Sequence, residues 1–285
     1  MSKSRFHLIG FLKLTRIPNL LIIAVTQYLA VIFLVFEPHM LKMVGNPQLF
    51  LLVLSTLMIA AAGYIINDYY DVKIDYVNKP DRVVVGKLIQ RRIVLAGHFI
   101  LNFTGIFIGF FLDYKVGLVN LFATFLLWIY SNQLKRMPLA GNLVIAFLTG
   151  LTFFVIWVYY QKSMYLLLNY AIFAFAITLI REVIKDMEDM IGDEIFGSRT
   201  LPIIWGIRKT KSFLYALILL SGSLFFYMAG RLNNPVMNNF FLILIIPAIY
   251  LVYLLYRADT QKRYYRLSIY CKLIMLAGIF SITFF

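Results

Sequence analysis

The sequence has few of the residues that build disulfides, zinc sites or acidic surfaces. It contains one cysteine, Cys271, in 285 residues, which excludes a disulfide framework and a paired-cysteine metal site. Acidic residues number 13 against 27 lysines and arginines, and charged residues make up only 14% of the chain. By contrast, 62% of the chain is hydrophobic, compared with roughly 45–50% in a soluble domain. This composition excludes disordered, fibrous and ordinary soluble proteins and indicates a protein embedded in a membrane.

Long apolar runs are what the sequence has in abundance. Most of them approach the ~20 residues with which a helix crosses the bilayer, and helices satisfy their own backbone groups in lipid. Nine runs occur, at residues 17–36, 49–66, 93–112, 116–130, 139–160, 165–180, 212–230, 240–256 and 267–284. We therefore predict an all-α membrane protein in which nine transmembrane helices form one bundle and residues 1–285 form a single domain.

Basic residues are distributed unevenly between the two sides of this predicted bundle. The N-terminus and the even-numbered loops carry 22 lysines and arginines, the odd-numbered loops carry 4, and Lys272 lies inside the last run. The positive-inside rule then places the N-terminus in the cytoplasm of a multi-pass protein, which we assign to the cell (inner) membrane. Scattering of the basic residues between apolar runs also argues against nucleic acid as a partner.

The acidic residues are concentrated in two segments that follow the second and sixth runs. Ten of the 13 lie there, which is not the distribution expected of a solvated surface. Three in each segment are spaced i, i+3 and i+7, so each set faces one side of a helix. The two sets are Asp68, Asp71 and Asp75, and Asp186, Asp189 and Asp193. We call these sets the first and second acidic rows.

Each acidic row needs a counter-charge, because like charges on one helix face repel one another. Oxygen-only ligands favour Mg²⁺ or Mn²⁺ over zinc, and Mg²⁺ commonly bridges carboxylates to substrate phosphates. Two facing rows therefore predict a site that holds a diphosphate through metal ions. The alternative is a solvated acidic collar, which is a better explanation of one row than of a matched pair.

The motifs around the rows resemble those of a known family. NDYYDVKID at residues 67–75 fits the NDxxDxxxD motif of the UbiA-type intramembrane prenyltransferases, and NKPDR at 78–82 fits its continuation. DMIGD at 189–193 fits the second DxxxD motif, and GSRT at 197–200 fits its usual sequel. The resemblance covers nearly the whole chain, with the motifs in the expected order.

This resemblance implies a helical bundle around a central cavity that two acidic loops cap on the cytoplasmic side. The implied reaction is Mg²⁺-dependent transfer of an isoprenyl chain from a prenyl diphosphate to a membrane-associated acceptor in the lipid bilayer, with no obligate protein partner. REVIKDMED at 181–189 is most similar to the branch that prenylates geranylgeranylglyceryl phosphate. An aromatic quinone precursor is the alternative acceptor. DRVVVG at 81–86 departs from the family's proline-containing DRPxPxG pattern.

Matching the motifs residue by residue assigns the candidate site. The catalytic aspartates are Asp68, Asp71, Asp189 and Asp193, and Asp75 and Asp186 join them as metal ligands. The substrate contacts include Asn67 and Arg82 of the first motif and its continuation, and Lys185 as a nearby cation. Tyr130, Lys135 and Asn142 join them, because they resemble the family's conserved loop between spans four and five. Arg82, Lys135 and Lys185 can equally be positive-inside residues without a catalytic role. No general base for a hydroxyl acceptor is evident.

Other classes of membrane protein explain the sequence less well. A transporter of divalent cations or small molecules should carry ionisable residues in the middle of its spans, whereas almost all the acids here lie at span ends. A CDP-alcohol phosphotransferase also uses aspartates and a divalent metal, but its DGxxAR core is missing. We therefore expect an enzyme that transfers prenyl groups and functions in isoprenoid lipid biosynthesis.

Overall fold

The computed structural model describes residues 3–36, 38–232 and 235–285, which contain ten α-helices and no β-strand. The helices are α1 Lys3–Leu14, α2 Ile17–Leu29, α3 Pro47–Asn78, α4 Arg91–Leu112, α5 Tyr114–Asn132, α6 Ala140–Tyr160, α7 Met164–Ile195, α8 Leu201–Leu232, α9 Pro235–Arg257 and α10 Gln261–Phe280. A π-helical segment, Ala30–Val35, continues α2. The all-helical class predicted from the apolar runs is confirmed.

Local sequence explains where several helices begin and bend. Asn46 caps α3, because its side-chain oxygen accepts hydrogen bonds from the backbone N–H groups of Gln48 and Leu49 at 2.8 and 3.0 Å. Asp113 caps α5 in the same way through the N–H of Lys115. Gly206 has a φ of 75° and interrupts α8 with a kink. Any other residue would be strained in this backbone conformation.

Eight helices in the described ranges are long and apolar enough to cross a membrane. Six of the nine predicted runs fall within one helix each, and the run 139–160 begins one residue before α6. The first and last runs extend past α2 and α10 into short helical segments. The eighth run, 240–256, lies in α9, and Leu242–Arg257 is the apolar part of that helix among the residues whose side chains the structure describes. A multi-pass membrane protein is thus supported, whereas the exact count of nine spans stays a prediction.

Two helices, α3 and α7, continue well past the C-terminal ends of the runs that predicted them. Helices α3 and α7 each have 32 residues, which corresponds to about 48 Å of helix against ~30 Å of hydrocarbon. The predicted runs end at residues 66 and 180, so the last turns of each helix continue past the apolar segment. Both acidic rows lie on these extensions.

The outer surface of the bundle is apolar, as a lipid-facing surface should be. On α4, Phe99, Phe103, Phe107 and Phe111 recur every four residues and are all exposed. Inside, α7 packs against α3, α6, α8 and α10. Buried side chains of α7 to α10, including Ile184, form one core cluster near the acidic end. Helix α7 therefore connects the packed interior to the acidic segment that follows it.

Candidate active site

The first acidic row is neutralised by cations from other segments of the chain. Arg16, in the turn between α1 and α2, donates to Asp68 across 2.7 Å. Lys135, in the loop between α5 and α6, is ion-paired with Asp71, which is buried. Asn67 also donates to Asp71 through its side-chain amide, at 2.8 Å. Removal of any one partner would leave carboxylate charge with weaker compensation.

The second acidic row is compensated in a similar way. Lys79 follows the end of α3 and reaches α7, where its ammonium group lies 2.7 Å from Asp189 and 3.1 Å from the buried Glu188. The amide of Asn142, at the start of α6, donates to Asp186 at 2.9 Å. The repulsion expected within each row is therefore partly relieved, since four of the six aspartates contact a cation or an amide group of the protein.

Lys135 lies between the two rows. Besides its ion pair with Asp71, it is within electrostatic range of Asp75 on α3 and Asp193 on α7, and it lies beside the Tyr130 phenol. Burial lowers the pKa of Lys135, but the Asp71 and Asp75 carboxylates and the Tyr130 phenol together raise it by more, so the net pKa is above its ordinary value. Lys135 thus remains a permanent cation where the two carboxylate rows approach each other.

Lys79 keeps its charge for the same reason. Burial lowers its pKa, while the carboxylates of Asp189 and Glu188 raise it, and the net pKa is above the ordinary value. Two fixed ammonium groups, those of Lys79 and Lys135, therefore accompany the aspartates. A diphosphate that entered between the rows would meet these two cations.

Asn78 joins the end of α3 directly to the second row. Its Nδ2 donates to the carbonyl oxygen of Asp189, and its Oδ1 accepts from the N–H of Gly192, both at 3.0 Å. Gly192 leaves the space that this amide occupies, because a Cβ built there would lie 2.5 Å from the amide atoms of Asn78. This bridge, which we call the Asn78 clamp, fixes the position of one acidic helix end relative to the other.

The oxygen ligands fit a hard divalent cation that is bound partly by the protein and partly by a substrate. In the part of the chain that the structure describes, no three His, Cys, Asp or Glu residues lie close enough to form a ready-made metal site. The side-chain oxygen of Asn67 is buried and accepts no hydrogen bond from a described residue. The unpaired side-chain oxygen of Asn67 and the separated carboxylates match Mg²⁺, which commonly binds through one or two carboxylates, waters and substrate phosphates.

The structure brings together most residues predicted for the site. Tyr130, Lys135 and Asn142 lie beside the acidic rows, as described above. Lys185 instead donates to Glu182 at 2.9 Å. Glu182 lies one turn before Asp186, on the membrane side of the second row. The side chain of Arg82 is outside the described residues. The metal and substrate roles of all these residues stay predictions.

Sequence analysis missed two of the site's cations. Lys79 appeared there only as part of a motif, although its position four residues after Asp75 was a usable signal. Arg16 was counted only as a topology determinant, and its contact with Asp68 spans 52 positions of sequence. Spacing reveals neighbours on one helix, not partners on separate elements.

Comparison with known proteins is consistent with this geometry. The sequence profile of the UbiA prenyltransferase family matches residues 19–275. The digeranylgeranylglyceryl phosphate synthase of Methanosphaera stadtmanae is 33% identical over 90% of this chain and 93% of its own length. That of Methanobrevibacter smithii is 30% identical over 90% and 95%.

Solved structures share the fold over nearly the full length. A digeranylgeranylglyceryl phosphate synthase structure has a TM-score of 0.73 at 23% identity, covering 97% of both chains. A UbiA homologue from Archaeoglobus fulgidus bound to GPP and Mg²⁺ has a TM-score of 0.67 at 15% identity, covering 96% of this chain and 99% of its own. The protein described here therefore belongs to the UbiA prenyltransferase family and is a transferase of prenyl groups.

Proposed function

We propose that the protein transfers a prenyl chain from a prenyl diphosphate to a glycerol phosphate ether, such as geranylgeranylglyceryl phosphate. The observation that carries this proposal is the pair of acidic rows at the ends of α3 and α7, with Lys135 and Lys79 beside them. Similarity to synthases named for this type of product supports the choice of acceptor. An aromatic quinone precursor is the rival acceptor.

The aspartates of both rows and the free oxygen of Asn67 would hold Mg²⁺ together with the diphosphate. The metal ion supplies charge that stabilises the diphosphate as it leaves. Lys135 and Lys79 supply further positive charge to the same oxygens when they exchange their aspartates for the diphosphate. The ligands we assign are Asp68, Asp71, Asp75, Asp186, Asp189 and Asp193.

The reaction exchanges one carbon–oxygen bond for another. The bond between the first prenyl carbon and the diphosphate breaks, and its electron pair leaves with the diphosphate. A hydroxyl oxygen of the acceptor forms the new bond to that carbon, and the hydroxyl proton passes to solvent. The acceptor hydroxyl must therefore reach the first prenyl carbon directly below the acidic rows, in the central cavity that we propose for the prenyl chains.

Our proposal also includes the topology of the protein in the cell membrane. The N-terminus and both acidic rows lie on the cytoplasmic side, and the stretch Leu242–Arg257 completes nine crossings. The 22-to-4 distribution of basic residues supports this orientation. A cytoplasmic site is also where a charged diphosphate substrate has access from water.

A turnover assay with a panel of substrates tests the proposed function. The purified protein is reconstituted in nanodiscs with Mg²⁺, prenyl diphosphates of several lengths, and either geranylgeranylglyceryl phosphate or 4-hydroxybenzoate. Mass spectrometry should detect a prenyl ether of the glycerol phosphate. If only a prenylated aromatic product formed, the acceptor would be the aromatic compound and not the glycerol phosphate. Failure with every prenyl diphosphate would overturn the proposal.

A further inference from the structure

A second cluster of polar side chains lies on the membrane side of the acidic rows. Lys272 is its most unusual member, because it lies inside a predicted span, about 8 Å along α10 past the start of the apolar run at Leu267. Its ammonium group donates to the side-chain oxygen of Asn19 on α2 at 2.6 Å. An ionisable group at this depth is costly and commonly marks a substrate or ion pathway.

Helix α7 adds two more cations to this cluster. Arg181 and Lys185 both contact Glu182, at 2.6 and 2.9 Å. Arg181 is close enough to Lys272 for each charge to affect the other. The Nε of Arg181 is buried and donates no hydrogen bond to a described residue. The guanidinium group therefore has an unused donor in a place where water is scarce.

Arg16 and Tyr64 complete the cluster from the other side. The Arg16 guanidinium lies 5.0 Å from the centre of the Tyr64 ring, and the Tyr64 hydroxyl lies next to Asn19. Arg16 has a φ of 52°, a left-handed conformation that is uncommon for a residue with a side chain. Strain of this kind is found preferentially at functional sites. Tyr64 is also within electrostatic range of Arg181.

The cluster has an excess of positive charge. Its four cations are Arg16, Arg181, Lys185 and Lys272, and its two acids are Asp68 and Glu182, which leaves a net charge of +2. A phosphate monoester carries a charge of about −1.5 to −2 at neutral pH. The two charges match, whereas the diphosphate is accounted for by the acidic rows.

The cluster adjoins the rows through Asp68 and Lys185, and its other members on α3 and α7 lie deeper along both helices. Arg181 precedes Asp186 by five residues, a rise of about 7 Å along α7, and Tyr64 precedes Asp68 by four residues, about 6 Å along α3. An acceptor whose phosphate occupied the cluster would hold its glycerol hydroxyl between the cluster and the rows. That is where the first prenyl carbon of the donor must lie.

We propose that Arg16, Arg181 and Lys272 bind the phosphate monoester of the acceptor, with Asn19 and Tyr64 as hydrogen-bonding companions. This inference rests on the proposed function and assigns the group that selects a glycerol phosphate over a neutral or aromatic acceptor. That phosphate would accept a hydrogen bond from the unpaired Nε–H of Arg181 and neutralise the net charge of +2.

Binding measured without turnover tests this subsite. Wild-type protein and Lys272→Gln in nanodiscs are titrated calorimetrically with a short-chain alkylglyceryl phosphate, and in a second arm with the alkylglycerol that lacks the phosphate, both without Mg²⁺ or prenyl diphosphate. Glutamine still hydrogen-bonds to Asn19, so the fold is retained. Loss of one charged contact should weaken phosphate binding about tenfold or more. Alkylglycerol binding should not change.

Matched variants separate a charge effect from a structural one. Lys262→Gln makes the same change at an exposed position of the same helix, and Lys272→Arg keeps the charge at the site. Both should bind the alkylglyceryl phosphate like the wild type. Arg181→Lys provides a second test, since it keeps a charge but loses the planar fork, and it should weaken binding as well. In turnover, Lys272→Gln should raise the KM for the acceptor and leave that for the prenyl diphosphate unchanged.

The outcomes distinguish the subsite from the proposed function. Equal phosphate affinity of wild type and Lys272→Gln would overturn the subsite, even if the glycerol phosphate is prenylated. Prenylation of only the aromatic acceptor would overturn the proposed function, and the acceptor subsite with it. A site for a bilayer headgroup would show itself as displacement of the acceptor when phosphatidylglycerol in the nanodisc is increased. That result would also overturn the assignment to the acceptor.

Discussion

Replacement of Gly192 by alanine should destabilise this protein, although the same change usually stabilises a helix. Gly192 lies inside α7, and alanine in a helix interior is favoured over glycine by about 1 kcal/mol. Here the added Cβ would lie 2.5 Å from the Asn78 amide, so that amide has to leave. The Asn78 clamp then loses its two hydrogen bonds, to Asp189 and Gly192.

The net effect follows from the difference between these contributions. Two hydrogen bonds contribute about 2 kcal/mol together, at about 1 kcal/mol each, and the helix propensity returns about 1 kcal/mol. Gly192→Ala should therefore lower stability by about 1 kcal/mol, which corresponds to a decrease of about 2–4 °C in the unfolding midpoint. Activity should fall too, because Asp189 loses the contact that positions its backbone.

Gly222 in α8 provides the matched control. It is exposed, and a Cβ built there meets no atom of a described residue within 4 Å, so Gly222→Ala should raise the midpoint. The Asn78→Ala background provides a second control. There the amide is gone, and adding Gly192→Ala should restore stability by about 1 kcal/mol instead of reducing it.

Thermal unfolding in detergent, followed by the fluorescence of a thiol-reactive dye that detects Cys271, measures the wild type and all four variants. Cys271 is buried and is the single cysteine of the chain, so it reacts only on unfolding. A rise of the midpoint for Gly192→Ala in the wild-type background would refute the clamp. So would an equal effect of Gly192→Ala with and without Asn78.

The other predictions concern the metal, the aspartates and the topology. Excess chelator should abolish turnover and added Mg²⁺ should restore it, whereas full activity in chelator would eliminate the metal site. Asp71→Ala should reduce turnover about 100-fold or more, and Asp259→Ala, which removes an exposed ion pair, should have little effect; similar rates for the two would exclude Asp71 from the site. A membrane-impermeant thiol reagent applied from outside should label Lys162→Cys but not Lys87→Cys, and the reverse pattern would invert the orientation.

Periodicity and spacing were sufficient to predict the elements but not the way they meet. Nine apolar runs each identified a helix, and the i, i+3, i+7 spacing placed Asp68, Asp71 and Asp75 on the extension of one helix. The family predicted from the motifs is confirmed. These inferences succeed because a helix fixes the relation between residues up to about two turns apart.

Partners far apart in sequence were beyond this reasoning. Lys272 and Asn19 are separated by 253 positions, and the contact depends on how α10 packs beside α2. The repulsion expected within the acidic rows was inferred from each helix alone. The lysines that pair with the aspartates, Lys79 and Lys135, come from loops outside those helices. Sequence alone indicated which carboxylates belong together, but not which cations complete them.

In the catalytic cycle that we propose, the ion pairs of the acidic rows also determine the order in which metal and substrate bind. An ammonium group tethered beside its carboxylate acts at a high effective concentration, so a free divalent ion has to compete with it for Asp71 or Asp189. A diphosphate changes this competition, because Lys135 and Lys79 gain new anionic partners at the moment the carboxylates are released. Metal and diphosphate should therefore bind cooperatively, each raising the affinity for the other by the same factor. Between turnovers we expect the lysines to return to their aspartates, which would protect the protein from capturing unwanted cations while no substrate is present.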